Sequence, residues 1–400
     1  MNRELPLSWL LTLGALAAFA PMAIDMYLPA FPAIARDLRT DSGQVQLTMA
    51  ACFLGFAIGQ LLYGPLSDRF GRKPPLYAGI ALFVLASAGC ALASSIESLI
   101  IWRFLQAFGG CAGMVIGRAI VRDRFQANEA ARLFSLLILV MGLAPILAPL
   151  FGGLLLSVAS WRAIFIALLV FGLLCGIASW RVLSETLPPD RRQPLHPAAL
   201  ARGFAEILRQ REFYGHVLVG GFAHAGMFAY ITSSSFVFIE HFQIAPGHFG
   251  WLFGANAAGL IAMSQLNRHL LKTRSTSQLL KASNSLALVM AAALLFGASL
   301  APQHLLLVAL PLFGFVASLG ITLPNASANA LAPFGLRAGT ASALMGTLQF
   351  LFATVSASAV SHFASTQPVV MAGFVAGCAA LAWLSHRLLL QSGDERAPVA

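Results

Sequence analysis

Charge is what this chain has least of. Only 10% of its 400 residues are Asp, Glu, Lys or Arg, whereas 58% are hydrophobic. A soluble globular domain carries about 25% charged residues, so a water-soluble fold is excluded. Cysteine is also scarce. Cys52, Cys90, Cys111, Cys175 and Cys378 all lie in apolar stretches, with no C-x-x-C spacing and no histidine at metal-ligand spacing. They read as packing residues, so zinc and dithiol chemistry have no support and no metal is expected. There is no G-x-x-x-x-G-K-[ST] loop for ATP, no H-E-x-x-H helix and no credible Ser/His/Asp set, so an enzyme is not expected.

What fills the chain instead is long apolar runs. Crossing a hydrocarbon core of roughly 30 Å takes about 20 apolar residues in a helix. Twelve such runs are present: 8–34, 43–65, 75–95, 98–120, 133–156, 161–182, 213–237, 247–268, 278–300, 303–325, 338–361 and 367–390, the second and eighth being the least cleanly apolar. The first is longer than the core of about 7–15 residues found in a cleaved signal peptide, so it reads as a retained helix. An all-α polytopic membrane protein with twelve transmembrane helices follows.

The net charge of +10 invites a nucleic-acid reading that its distribution removes. With the spans numbered from a cytoplasmic N-terminus, all Lys and Arg residues except Arg36, Arg39, Arg162 and Arg103 fall at cytoplasmic ends and loops. That bias is the positive-inside rule, and it sets both termini in the cytoplasm. The basic charge is therefore a topology signal in contact with the lipid bilayer, and no nucleic acid partner is expected.

The longest polar stretch, residues 184–212, opens on Pro188-Pro189 and turns basic and amphipathic near 198–210. It divides the chain into an N-terminal six-helix half (1–183), a cytoplasmic linker (184–212) and a C-terminal six-helix half (213–400). Two parallel six-helix halves describe the major facilitator architecture. The halves echo each other in part: Gly55 and Gly59 have counterparts in Gly254 and Gly259, and the basic 68–73 loop in 268–274. The second loop has no acidic residue and no glycine, so the copies are not equivalent.

One residue stands out within the spans. Asp25, in PMAIDMYLPAFP, is the only carboxylate well inside an apolar run. A charge at that depth costs several kcal/mol and is a functional-site hypothesis by default. Burial raises a carboxylate's pKa and a nearby arginine lowers it, so a site balancing the two exchanges protons near neutral pH. Arg103 in the fourth span is the candidate partner, with Gln106 one turn further along the same face. The alternatives are an Asp25–Arg103 pair that only ties two helices together, and an Arg103 that snorkels to lipid headgroups.

Three segments and two shorter phrases carry a resemblance. Residues 64–76, GPLSDRFGRKPPL, resemble the G-x-L-a-D-r-x-G-r-k-x-x-l loop of the major facilitator superfamily. The resemblance implies a gate latch made of Gly64, Asp68, Arg69, Gly71, Arg72 and Asp123. In that latch Asp68 sits against the N-terminus of the eleventh helix near Thr340, and Arg72 pairs with Asp123. LIIWRFLQAFGGCAG (99–113) resembles the R-x-x-Q-G motif linked with proton coupling, with the glycine displaced to Gly109. GLAPILAPLFGG (142–153) resembles the G-P-x-x-G-G motif of exporters, with Ala148 in place of the first glycine. Its residues Gly142, Pro145, Pro149, Gly152 and Gly153 argue against an uninterrupted helix, because each proline removes a backbone bond and can kink the chain. IDMYLPAFP (24–32) and RAIVRDRF (118–125) are similar to the Bcr/CflA-type drug:proton antiporters.

The resemblance implies a multi-pass protein of the bacterial inner (cytoplasmic) membrane, acting as a monomer without a cofactor. It would exchange protons for small amphipathic or neutral antibiotics such as bicyclomycin or chloramphenicol-like compounds. Asp25, Arg103 and Gln106 are then the proton-coupling candidates. Asp25, Tyr27, Phe53, His224, Phe228, Tyr230, Asn256 and Gln349 are the substrate candidates, with Met227, Ser233, Phe236, Asn325 and Asn329 as further cavity residues. His224 reads either as a titrating group or as a satisfied packing histidine. An importer of a sugar or amino acid shares the fold, and a non-transporting sensor or scaffold is the rival of another class.

Overall fold

The computed structural model describes residues 7–125, 127–192, 194 and 197–390; inside its helices, the side chains at 127–132, 134–136, 138–141, 197, 199 and 336 lie outside the description. The chain ends expected in the cytoplasm, with Arg3 and Arg396, and the side chain of Arg132 also lie outside the described residues. Regular structure among the described residues is helical throughout: α1 (Leu7–Ala17), α2 (Phe19–Asp25), α3 (Phe31–Asp37), α4 (Ser42–Phe70), α5 (Lys73–Ala91), α6 (Ile96–Arg124), α7 (Ala127–Val158), α8 (Arg162–Val182), α9 (Pro197–Leu208), α10 (Arg211–Ser235), α11 (Pro246–Leu270), α12 (Thr276–Leu300), α13 (Leu305–Leu331), α14 (Ala338–His362) and α15 (Pro368–Ser385).

Among the described residues, nine helices are long and apolar enough to cross a membrane, or ten when the bent stretch from Leu7 to Asp37 counts as one span. Two of the twelve expected spans fall short on this measure. In α7 the stretch with continuously described side chains, Gly142–Val158, is apolar but shorter than a span. α11 is 25 residues long but carries Asn256 and Asn267, both buried within its own half and hydrogen-bonded to Tyr230 and Asn325. Polar groups turned inward lower a helix's hydropathy without exposing it to lipid.

The chain forms two compact units, Met1–His196 with Pro246–Gly250, and Pro197–Ala245 with Trp251–Ala400. In the first, α4 packs on α6 because small residues let the backbones touch. A Cβ on Gly59 would sit 2.6 Å from Cys111 Cβ, and one on Gly109 would sit 2.6 Å from the Gly79 carbonyl of α5. Helix starts are capped locally. Asp41 accepts the Gln44 N–H at 2.9 Å for α4, and Ser275 forms a capping box with Gln278 for α12. In the second unit the amphipathic linker helix α9 lays Phe204 and Ile207 on a buried cluster of Phe213, Phe334 and Leu344, and Glu206 pairs with Arg337 at 2.8 Å.

The helix expected to break did not, and the one expected to be continuous did. α7 runs unbroken from Ala127 through Pro145 and Pro149 to Val158. A transmembrane helix tolerates proline where neighbouring groups satisfy the freed carbonyls. The first span is the broken one. α1 ends at Ala17, α2 ends at Asp25, a 3-10 turn covers Leu28–Ala30 and α3 follows, with a bend of 42° between Leu7–Ala17 and Phe19–Asp37. The bend falls at Ala18, where Pro21 has no N–H for the Ala17 carbonyl; Pro29 likewise has none for the Asp25 carbonyl, where α2 gives way to the 3-10 turn.

Candidate functional site

Asp25 is the last residue of α2 and is buried, at 5% exposure. Gly152 of α7 lies directly over the carbonyl of the next residue, Met26, so closely that a Cβ at 152 would collide with it. The glycine of the exporter-like motif is thus packed against the end of α2, next to Asp25. Pro149 is buried on the same helix, and Gly153 follows Gly152 into buried surroundings; Gly142 and Pro145 are half-buried.

Arg103 is fully buried, which removes the snorkelling reading. Its guanidinium carbon stands 4.4 Å from the Tyr27 ring centre and 5.8 Å from that of Phe165. Nη1 donates to Gln106 Oε1 at 2.5 Å, Gln106 Nε2 donates to Ser87 Oγ at 2.8 Å, and Nη2 points at Met49 Sδ at 3.7 Å. Tyr27 is itself fixed by a 3.0 Å hydrogen bond between its hydroxyl and Thr48. Three of the singled-out residues, Tyr27, Arg103 and Gln106, therefore form one cluster. Among the described residues no hydrogen bond or ion pair joins Asp25 to Arg103, so the arginine's charge is met by aromatic faces and an amide. Phe53 is fully buried on α4, one turn beyond Met49. Thr48, Met49 and Ser87 belong to this cluster and were not singled out from the sequence. Hydroxyls and a thioether in an apolar run give no signal until the helices are packed.

At the cytoplasmic end of the same unit lies a second cluster. Arg72, 3% exposed, donates from Nη1 to Asp68 Oδ1 at 2.6 Å and to Ser67 Oγ at 2.8 Å, and from Nε to Asp123 Oδ2 at 2.6 Å. Gly71 has φ of +90°, and a Cβ there would meet Glu185 Oε2 at 2.7 Å, so both backbone conformation and space call for glycine. Glu185, just beyond α8, accepts the backbone N–H groups of Arg72 at 2.9 Å and Lys73 at 3.0 Å, as well as those of Thr186 and Leu187. Burial pushes the Glu185 carboxyl up, but these four donors outweigh it and hold it below its usual range. Thr186 Oγ1 adds a 3.3 Å bond to Asp123. Arg69 lies over the Phe70 ring at 5.3 Å, apart from this network, and Gly64 has open space around its Cα. Glu185 was missed in the sequence because its partners are 112 and 113 positions away. Asp68 and Thr340 belong to different compact units.

The second unit holds the other candidates in two places. Asn256 Nδ2 donates to Tyr230 Oη at 2.9 Å, and Tyr230 stacks on Phe253 at 5.7 Å. His224 binds the Gly220 carbonyl through Nδ1 at 3.0 Å and stacks on Phe228 at 6.3 Å. Gln349 is half-buried on α14, Ser233 and Phe236 are buried near the end of α10, and Met227 is partly buried one residue before Phe228. Asn325 binds Asn267 at 2.7 Å, and Asn329 accepts from Thr276 at 2.6 Å. These two asparagines tie helices to one another.

Comparison with known proteins agrees with this architecture. The family model described as Major Facilitator Superfamily matches residues 13–357. A Bacillus subtilis protein described as an uncharacterized MFS-type transporter, YdgK, is 38% identical over 86% of each chain. A bicyclomycin resistance protein homolog of Haemophilus influenzae is 30% identical, covering 95% of this chain and 96% of its own. The multidrug resistance protein MdtL of Klebsiella pneumoniae is 31% identical over 85% of each. Among solved structures, a bacterial homolog of the human lysosomal transporter Spinster, in an inward-facing and unoccupied conformation, aligns over 99% of this chain and all of its own with a TM-score of 0.76 at 16% identity. A D-xylose-proton symporter aligns over 94% and 97% with a TM-score of 0.70 at 15% identity. Those two likenesses speak to fold alone. The chain belongs to the Major Facilitator Superfamily, as a multi-pass transporter of the bacterial inner membrane and of the Bcr/CflA type.

Proposed function

We propose that this transporter exports small amphipathic or neutral antibiotics in exchange for protons, as a monomer and without a cofactor, with Asp25 as the proton site. The observation that carries the reading is a buried carboxylate at the end of α2, with the glycine of the exporter-like motif packed on the adjoining residue. The names of the Haemophilus and Klebsiella relatives support drugs as the substrate class. Protonated and deprotonated Asp25 favour different conformations, so a proton taken up from outside and released inside drives the cycle by linkage. Arg103, Tyr27 and Gln106 form the preorganised polar cluster on the proton's side of the unit. Tyr230, Asn256, His224, Phe228 and Gln349 are the drug-contact residues of the second unit, and Asp68, Arg72 and Asp123 form the latch of the first.

The electrical drive is about 2.3 kcal/mol per charge per 100 mV. At about 1.4 kcal/mol per tenfold, one proton per neutral drug sustains roughly a 40-fold gradient from that source alone. The test is drug accumulation in cells expressing wild-type or Asp25→Asn protein, with and without an uncoupler. Wild-type cells exclude drug until the uncoupler is added, and Asp25→Asn cells do not exclude it. Uphill extrusion by Asp25→Asn in response to a pH gradient would overturn the assignment.

A further inference from the structure

One turn before Met49 on α4 stands a polar residue that no motif covers. Gln46 lies in the second turn of α4, is fully buried, and both its Oε1 and its Nε2 lack a hydrogen-bond partner among the described residues. Arg103 Nε, also buried, lacks one as well, although the other two guanidinium nitrogens are engaged. A single orphaned hydroxyl in a membrane helix is unremarkable. A fully buried amide with both ends unmet, one turn along α4 from the methionine that touches an arginine with its third nitrogen unmet, is not, because buried polar atoms are almost always paired with protein or ordered water.

The two groups belong to one region. α4 and α6 are separated by one returning helix, so they run the same way, and both start at the outer side in the topology set by the basic loops. Met49, whose sulfur touches Arg103 Nη2, sits three residues after Gln46 on the same face of α4, a rise of roughly 4.5 Å. A buried water takes 2–4 polar partners. The Gln46 carbonyl, the Gln46 amide and Arg103 Nε offer an acceptor and two donor groups, none with a hydrogen-bond partner among the described residues.

We propose that Gln46 and the Nε edge of Arg103 hold buried water, forming a hydrated pocket on the outer side of the Arg103–Gln106–Ser87 chain. No chemistry is needed beyond hydrogen bonding, and the guest is a small neutral donor–acceptor. The pocket's use as the proton's entry from outside rests on the antiport reading above, whereas its hydration does not.

The test is millisecond X-ray hydroxyl-radical footprinting with mass spectrometry on the full-length protein in lipid nanodiscs, which labels side chains beside bound water. Met49, fully buried, is the reporter, and Met371, 1% exposed on α15, is the dry reference. Met49 is oxidised several-fold faster than Met371 in wild-type protein and falls to the reference rate in Gln46→Leu, whereas Gln46→Glu, which keeps polar atoms there, retains the labelling. Wild-type Met49 as protected as Met371, or labelling unchanged in Gln46→Leu, overturns the pocket. The wild-type comparison needs no variant to fold, and because no arm measures transport, its failure is separable from failure of the antiport reading.

Discussion

A carboxylate can work in this protein without touching a cation. Glu185 spends its oxygens on backbone N–H groups, two of them at the start of α5, and through them it sets the position from which Arg72 reaches Asp68 and Asp123. Replacing it with glutamine turns an NH2 toward donors and removes charge from a helix N-terminus, a capping loss of about 1 kcal/mol. The exposed Arg191 and Arg192 that follow are the natural readout. Trypsin cleaves there several-fold faster in Glu185→Gln than in wild type, whereas equal rates would mean that Glu185 does not pin the linker. The pH sign follows from the depressed carboxyl. Its stabilising contribution is complete above the unfolded glutamate value of about 4.3 and is lost as pH falls through the lower folded value. Neutral and mildly acidic media leave this contact intact, and strong acid opens it. Arg103 shows the opposite economy, a buried cation held by ring faces, an amide and a thioether. Desolvated, the contact with Tyr27 alone is worth about 2 kcal/mol.

Helices, rather than residues, decide where glycine matters. Gly152 of α7 and Gly64 of α4 both belong to motif-like segments, but their surroundings differ. A Cβ at 152 strikes the Met26 carbonyl, a rigid backbone atom, whereas at 64 nothing lies within 4 Å. Gly152→Ala should therefore destabilise by about 1–3 kcal/mol through forced backbone displacement. Gly64→Ala meets no other element, but Pro65 crowds a Cβ on the residue before it, which offsets the usual helix gain, so the change should be near neutral. Thermal unfolding of the purified protein in detergent decides between them, and equal melting points for the two variants would refute this packing. The same pair shows what was legible in advance. The apolar spans and the loop signature are written in local composition and spacing, and among the described residues nine helices, or ten with the bent first stretch, are long and apolar enough to answer the twelve expected spans. The unbroken course of α7 was not legible, since tolerance of Pro145 and Pro149 depends on neighbours. Nor was the end of α2 at Asp25, where Pro29 deprives a particular carbonyl of its partner. Tyr27 over Arg103, and Ser87 and Thr48 behind them, depend on which helices meet, and no spacing within one helix reveals it.

Across the whole molecule the two halves solve the same problem with different chemistry. The N-terminal unit joins its helices near the cytoplasm through Arg72, Asp68 and Asp123, while the C-terminal unit ties its spans with neutral pairs, Asn267 with Asn325, Ser283 with Thr322 and Thr276 with Asn329, and keeps the exposed Glu206–Arg337 ion pair for the linker helix α9. Charge is thus confined to few places, and within the spans the sequence offers one carboxylate, Asp25. On the antiport reading, one titrating carboxylate exchanges one proton per cycle, and the charge moved then depends on the drug. A neutral drug leaving against one entering proton moves one net positive charge inward, so both the membrane potential and the pH gradient drive it. A monovalent cationic drug exchanged for one proton moves none, so only the pH gradient does. Proteoliposomes with the potential clamped by potassium and valinomycin separate the two. With the pH equal on both sides, an inside-negative potential of 100 mV should raise the steady-state gradient of a neutral substrate roughly 40-fold. The same potential should leave the exchange of a cationic one unchanged. A potential-driven gradient of the cationic substrate would require a second proton, and with it a second titrating group besides Asp25, for which His224 on α10 is the first residue to replace.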